Sequence, residues 1–150
     1  MIKQGMPEQY LLDKDSNARL FTKDAVIEIA KGIGITDNVQ FYDGAKRFED
    51  YNLEMQNLPC LHLSYLGRNF TDKPSQLNGL LYLTTWRWRV VIFAKEPDIM
   101  VLSEGFIFAL PRKYGYNEGW EASVLSETIG YSPQDSSVQM STIDFNVAKR

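Results

Sequence analysis

Cysteine and histidine are almost missing from this sequence: Cys60 and His62 are the only ones. A single thiol excludes an intrachain disulfide and any zinc site built from several cysteines of one chain. It also suits a reducing compartment better than secretion. Long apolar runs are missing too. Stretches such as Val90-Val91-Ile92-Phe93-Ala94 fall far below the roughly 20 residues that cross a bilayer. Met1 to Pro7 carry no apolar signal-peptide core, so the expectation is a soluble protein made in a cytoplasm, with no membrane partner. Nor is there an excess of basic charge. Sixteen Lys and Arg against nineteen Asp and Glu leave a formal charge of −3, which excludes a broad basic face for nucleic acid.

What is present is enough apolar material for one core. The chain has 150 residues, 44% of them hydrophobic, which fits a single domain and excludes a disordered tail. Residues 1–19 are polar with scattered apolar anchors and read as an arm, leaving 20–150 as the domain. Val26, Ile29, Ala30 and Ile33 recur at helical steps, so a helix is expected over about 22–32. Thr22 is its expected N-cap, and Gly32 and Gly34 its stop.

Asn38 to Tyr42 reads as a short strand, and Phe48, Tyr51 and Met55 mark a weaker amphipathic segment. Leu58 to Leu66 reads as a strand with Leu61, Leu63 and Tyr65 on one face and Cys60, His62 and Ser64 on the other. Gly67 to Asn78 reads as a polar loop. Leu80 to Ala94 gives the strongest strand signal: Trp86, Trp88, Val90 and Ile92 share one face, Arg87 and Arg89 the other. Such a strand is long by ordinary standards; long strands often project beyond their own core, which is a hint of assembly. Ile99 to Leu110 fits a helix capped by Asp98 and ended by Pro111, with a hairpin at Ser103-Glu104-Gly105 as the alternative. Trp120 to Tyr131 alternates as a strand. In the last strand Val138 and Met140 have one parity and Ile143, Phe145 and Val147 the other, which predicts a bulge. The expected fold is α+β: an antiparallel or mixed sheet with a long central strand, and one or two helices packed on one face.

Candidate chemistry is sparse. His62 and Ser64 share a strand face and suggest a nucleophile and its base, but no orienting acid or oxyanion site accompanies them, so a structural imidazole is the simpler reading. Gly32-Ile33-Gly34 follows a helix rather than opening one and lacks the lysine and hydroxyl of a phosphate loop. Asp13, Asp15 and Asn17, with Asp24 at the twelfth place, imitate a calcium loop. Ala18 stands where such a loop needs glycine, and a solvated linker explains the segment better. Trp86-Arg87-Trp88-Arg89 mixes aromatics and cations as single-strand-binding platforms do, yet alternation puts the two kinds on opposite faces. Glu121 and Glu127, of equal parity, read as a solvated strand face rather than a glycosidase pair. No cofactor is expected.

The order of elements, with Leu58-Pro59-Cys60-Leu61-His62-Leu63 after the first helix, a long strand over Trp86 to Phe93 and a closing Ile143-Asp144-Phe145-Asn146-Val147, resembles the tail terminator and tail-completion proteins of tailed bacteriophages. The resemblance spans roughly residues 20–148 and implies a structural virion protein rather than an enzyme. It implies a homo-oligomeric ring, by family habit a hexamer, that is assembled in the host cytoplasm, caps the tail tube and meets the head connector. On that reading Arg87, Arg89, Arg68, Asp72 and Lys73 become contacts to a neighbouring subunit or partner. Another neck or baseplate ring component is the alternative, and a small hydrolase using His62 and Ser64 a more distant one.

Overall fold

The computed structural model describes residues 6–36, 38–45, 51, 57–71, 83–115 and 120–149. Helix α1 runs over Met6–Gly32 and strand β1 over Val39–Tyr42. Strands β2 (Cys60–Thr71) and β3 (Leu83–Ala94) follow, then helix α2 (Asp98–Gly115) and strands β4 (Trp120–Tyr131) and β5 (Gln139–Lys149). The five strands form one mixed sheet in the order β1-β2-β3-β5-β4, parallel only between β1 and β2. Both helices pack on the same face. The fold is the expected α+β, with β3 at the centre.

Helix α1 begins sixteen residues before the expected Thr22, so residues 6–19 of the stretch read as an arm form its first half. The sequence explains this afterwards. No glycine or proline interrupts Glu8 to Lys31, and Pro7 occupies the first turn, where a missing N–H costs nothing. Thr22 is a fully buried residue in mid-helix rather than a cap. The expected stop is correct in detail. Ile35 N–H donates to Ala30 C=O at 2.8 Å and Gly34 N–H to Lys31 C=O at 3.2 Å, with Gly34 at φ +99°. These paired bonds close the last turn through a left-handed residue that only glycine adopts without strain. They also aim Ile35 into the core, where it is buried.

The main core lies between the helices and the sheet. Val26, Ile29 and Ala30 of α1 and Ile99, Leu102, Phe106 and Leu110 of α2 cover Leu61, Leu63, Trp86, Trp88, Val90, Ile143, Phe145 and Val147. Aromatic rings tie the layers together: Phe21 stacks on Trp120 at 6.2 Å, Trp120 meets Trp86 edge-on at 5.5 Å, and Tyr65 lies 5.0 Å from Trp88.

A second cluster occupies the opposite face at one end of the sheet: Tyr51, Cys60, Val91, Phe93, Val138 and Met140. Val90 to Ala94 is therefore buried on both sides, which is why it reads as an unbroken apolar run. The same cluster overturns the bulge expected in the last strand. β5 pairs with β3 without a register shift, and Val138 and Met140 simply belong to the other covered face. The bulges lie elsewhere, between Val124 and Ser126 in β4 and between Tyr65 and Gly67 in β2.

Two other boundaries change. The chain passes through Gly67 at φ +117° and remains a strand to Thr71, so Gly67 to Thr71 is not loop. The rest of that expected loop, including Asp72 and Lys73, lies outside the described residues, as do Phe48 and Met55 of the amphipathic segment. Pro111 sits inside α2 instead of ending it, and the hairpin alternative at Ser103-Glu104-Gly105 is helix. Gly105 has a tertiary reason for being glycine. A Cβ there would stand 3.0 Å from Ile33 Cγ2, so the missing side chain lets α1 and α2 approach. No helix among the described residues is long and apolar enough to cross a membrane.

Candidate functional site

A row of polar side chains lies on the sheet face away from the helices. Strand pairing places Gln40 and Tyr42 beside His62 and Ser64, Ser64 beside Arg89, and Arg89 beside Asp144. Tyr51 closes over this row, fully buried, with its ring 4.7 Å from His62 and 5.4 Å from Phe93.

His62 is fully buried and both of its ring nitrogens face partners. Tyr42 donates its hydroxyl proton to Gln40 Oε1 at 2.7 Å, so at 3.0 Å from His62 Nδ1 the same oxygen is left to accept. Nδ1 then carries the ring proton, and Nε2 accepts from the Cys60 thiol at 3.6 Å. Burial pushes the Cys60 pKa up to about 12, which keeps that thiol protonated and donating. Ser64, two residues along the strand, is buried next to Tyr51 rather than on the imidazole. The geometry spends both imidazole nitrogens on Tyr42 and Cys60, and the two candidates for a nucleophile and base do not form a pair. Burial also raises the Tyr51 pKa.

Arg89 was expected to seek an acid on another subunit. It has one on its own chain. Its Nε donates to Asp144 Oδ1 at 2.7 Å and a terminal nitrogen to Oδ2 at 3.0 Å, a two-point contact across β3 and β5. The hydrogen bond to Asp144 raises the Arg89 pKa further. Arg87, two residues on, is exposed and has no ion-pair partner among the described residues. Arg68 is exposed on β2 with its guanidinium 5.3 Å over the Phe70 ring.

The calcium reading fails on backbone grounds. Asp13, Asp15, Asn17 and Asp24 all lie within α1, and a continuous helix cannot wrap a cation as a twelve-residue loop does. No group of three or more His, Cys, Asp or Glu among the described residues could hold a metal ion.

One polar cluster escaped the sequence reading. Ser103 of α2 and Ser141 of β5, both fully buried, are hydrogen-bonded at 2.6 Å, and Ser103 also donates to Glu127 of β4. Glu127 reaches the helix side because the bulge at Leu125 reverses the alternation of β4. Glu127 pairs with Ile143 of the core face and Glu121 with Ala148 of the other, so these two glutamates do not share a face. Only a bulge signal in β4 could have revealed this, and a lone Leu between Val124 and Ser126 gives none.

The outer surface carries apolar side chains that a small monomer does not need to expose. Phe70 on β2 is 58% exposed, and Met100, Val101 and Phe108 on α2 are 57%, 71% and 61% exposed. Between the helices lies an open cleft of about 480 Å³, lined by Glu28, Ile29, Ile33, Gly105, Phe108 and Arg112, among others. The sequence matches no protein-family model and no curated protein.

Proposed function

We propose that this chain is a structural assembly protein of the tail-terminator kind, a ring former of tailed bacteriophage virions that caps the tail tube and meets the head connector. The observation that carries the reading is the far end of the β2–β3 hairpin. Both strands are twelve residues long, about twice the usual length. Arg68, Asn69 and Phe70 near that end lie exposed. A long hairpin with an exposed aromatic, together with apolar side chains on the outside of α2, suits a molecule completed by contacts with other chains.

The order of elements supports the same reading, since the helix, long central strand, second helix and closing strand follow the layout that the sequence resembles. The chemistry is in keeping with it: the one histidine is occupied by structural partners, and the bidentate ion pair holds two strands together. Arg87 remains as a cation facing outward for a neighbouring subunit or partner. In this reading the protein is not an enzyme and needs no cofactor.

The test is the mass of the purified protein by light scattering or native mass spectrometry, alone and with tail tube protein. The expected result is a closed ring, six copies on the family pattern, that sediments with tubes and stops their growth. A chain that stays monomeric at high concentration and ignores tubes would overturn the proposal.

A further inference from the structure

Strand β4 is one edge of the sheet, and β5 is its only strand neighbour among the described residues. An open edge is a row of backbone N–H and C=O groups that can pair with a strand of any other chain. Folded proteins blunt such edges with short strands, Lys or Pro, bulges, or charge on the inward side. The opposite edge is short, since β1 has only the four residues Val39–Tyr42. Strand β4 has twelve, Trp120–Tyr131, with no Lys, Arg or Pro among them and with Val124, Thr128 and Ile129 favouring extended backbone. By length and composition it is a template for sheet extension.

Two features of β4 work against that. The first is the bulge: Leu125, which is 57% exposed, is an extra residue before Ser126, the partner of Asp144 on β5. A bulge bends the strand and sharpens its twist, so the outer N–H and C=O groups fall into two short rows, 120–124 and 126–131. A straight incoming strand that matches one row misses the other. The second is charge. Glu127 lies on the helix side, opposite Ile143 of the core, and Ser103 of α2 donates to its carboxylate. Glu127 is still exposed, so water completes its solvation. A strand added to β4 would lie beside that tethered carboxylate and strip water from it, and a charge so stripped without a countercharge is costly.

We infer that the Leu125 bulge and the Glu127–Ser103 contact together guard the β4 edge and keep a strand of another chain from joining the sheet. The guard does not rest on the ring reading. Where copies of this chain assemble, their contacts lie off this edge.

Hydrogen exchange on the full chain tests it. In the wild type the β4 amides that point away from β5 should exchange freely at every concentration, in free and assembled protein alike. Protection of those amides on assembly would overturn the guard, because the edge would then be in use. Deleting Leu125 removes the bulge without changing which β4 residues face the helices, and Glu127→Val removes the charge. The combined variant should slow those amides by roughly tenfold or more as concentration rises, and raise its mean mass in light scattering at least about twofold over wild type. Adding Thr128→Lys, which puts a charge back on the edge, should return both to wild-type values. Should the deletion fail to fold by circular dichroism, Glu127→Val with the bulge kept is read in the same way. A folded variant that keeps wild-type amide rates and mass at every concentration would overturn the guard.

Discussion

Arg89 of β3 and Asp144 of β5 face each other across the sheet, bound at two points at 2.7 and 3.0 Å. Each side chain keeps about a third or less of its surface exposed, so water screens the pair only in part. Arg89→Ala or Asp144→Ala should each cost about 1–3 kcal/mol in urea unfolding, because removing one partner leaves the other half-buried and unpaired. The double variant should cost less than the sum. Strict additivity would show that the two do not interact.

Arg87 behaves differently, since its guanidinium has no ion-pair partner among the described residues. Arg87→Ala should change unfolding by no more than about 0.5 kcal/mol, the usual range for an exposed surface site. In the ring reading it weakens assembly, and Arg89→Ala does not. Equal masses for wild type and Arg87→Ala at every concentration would remove Arg87 from the interface.

Gly105 sets two effects against each other. Alanine is favoured over glycine in a helix by about 1 kcal/mol, but its Cβ would stand 3.0 Å from Ile33 Cγ2. Gly105→Ala should therefore be close to neutral in the wild type and stabilising by about 0.5–1 kcal/mol in an Ile33→Ala background, where the obstacle is gone. The same effect in both backgrounds would mean that the close approach does not constrain α1 and α2.

The buried Cys60 thiol makes stability fall at alkaline pH. Burial pushes its pKa up to about 12 in the folded chain from an ordinary 9.0 when unfolded, so the folded state holds the proton more tightly. The resulting stabilisation is fully present below pH 9 and is lost as pH rises toward 12, at up to about 1.4 kcal/mol per pH unit. Tyr42 and Tyr51, also raised by burial, act in the same direction. Urea melts from pH 8 to 10.5 should show the decline, and Cys60→Ala should flatten it. The native thiol should also resist aromatic disulfide reagents until the chain unfolds. Rapid labelling at neutral pH would contradict the burial.

Trp88 buries its indole Nε1 with no hydrogen-bond partner among the described residues. Trp88→Phe loses packing but also an unsatisfied donor, so it should cost under about 1.5 kcal/mol, against about 3–5 kcal/mol for Trp88→Ala. A large cost for phenylalanine would mean that the indole N–H has a partner.

Much of the fold is legible in local pattern. Val26 to Ile33 gives a helix and its glycine stop, and Trp86 to Ile92 gives the central strand and assigns its arginines to the other face. Misreadings concentrate where an element is held by something distant. Pro111 and Gly105 speak against a helix locally, yet α2 runs through both because Leu102, Phe106 and Leu110 bury themselves on the sheet and Gly105 accepts Ile33. Val138 and Met140 imitate a phase change because a second cluster covers the opposite face.

The candidate site divides in the same way. Alternation places His62, Ser64 and Cys60 on one face, but it cannot say that Tyr42 and Cys60 take both imidazole nitrogens. The acid beside Arg89 is 55 residues away, and nothing near Arg89 in the chain announces it.

The sequence alone determined periodicity, because the helix and strand repeats are properties of adjacent residues and leave their mark in neighbouring side chains. Only the tertiary structure decided register and bulges. A single extra residue, Leu125, turns Glu127 to the helix side, where Ser103 donates to it, and one register among several gives Arg89 its carboxylate. Those outcomes depend on the free energy of whole strands settling together, which no short window of the chain contains.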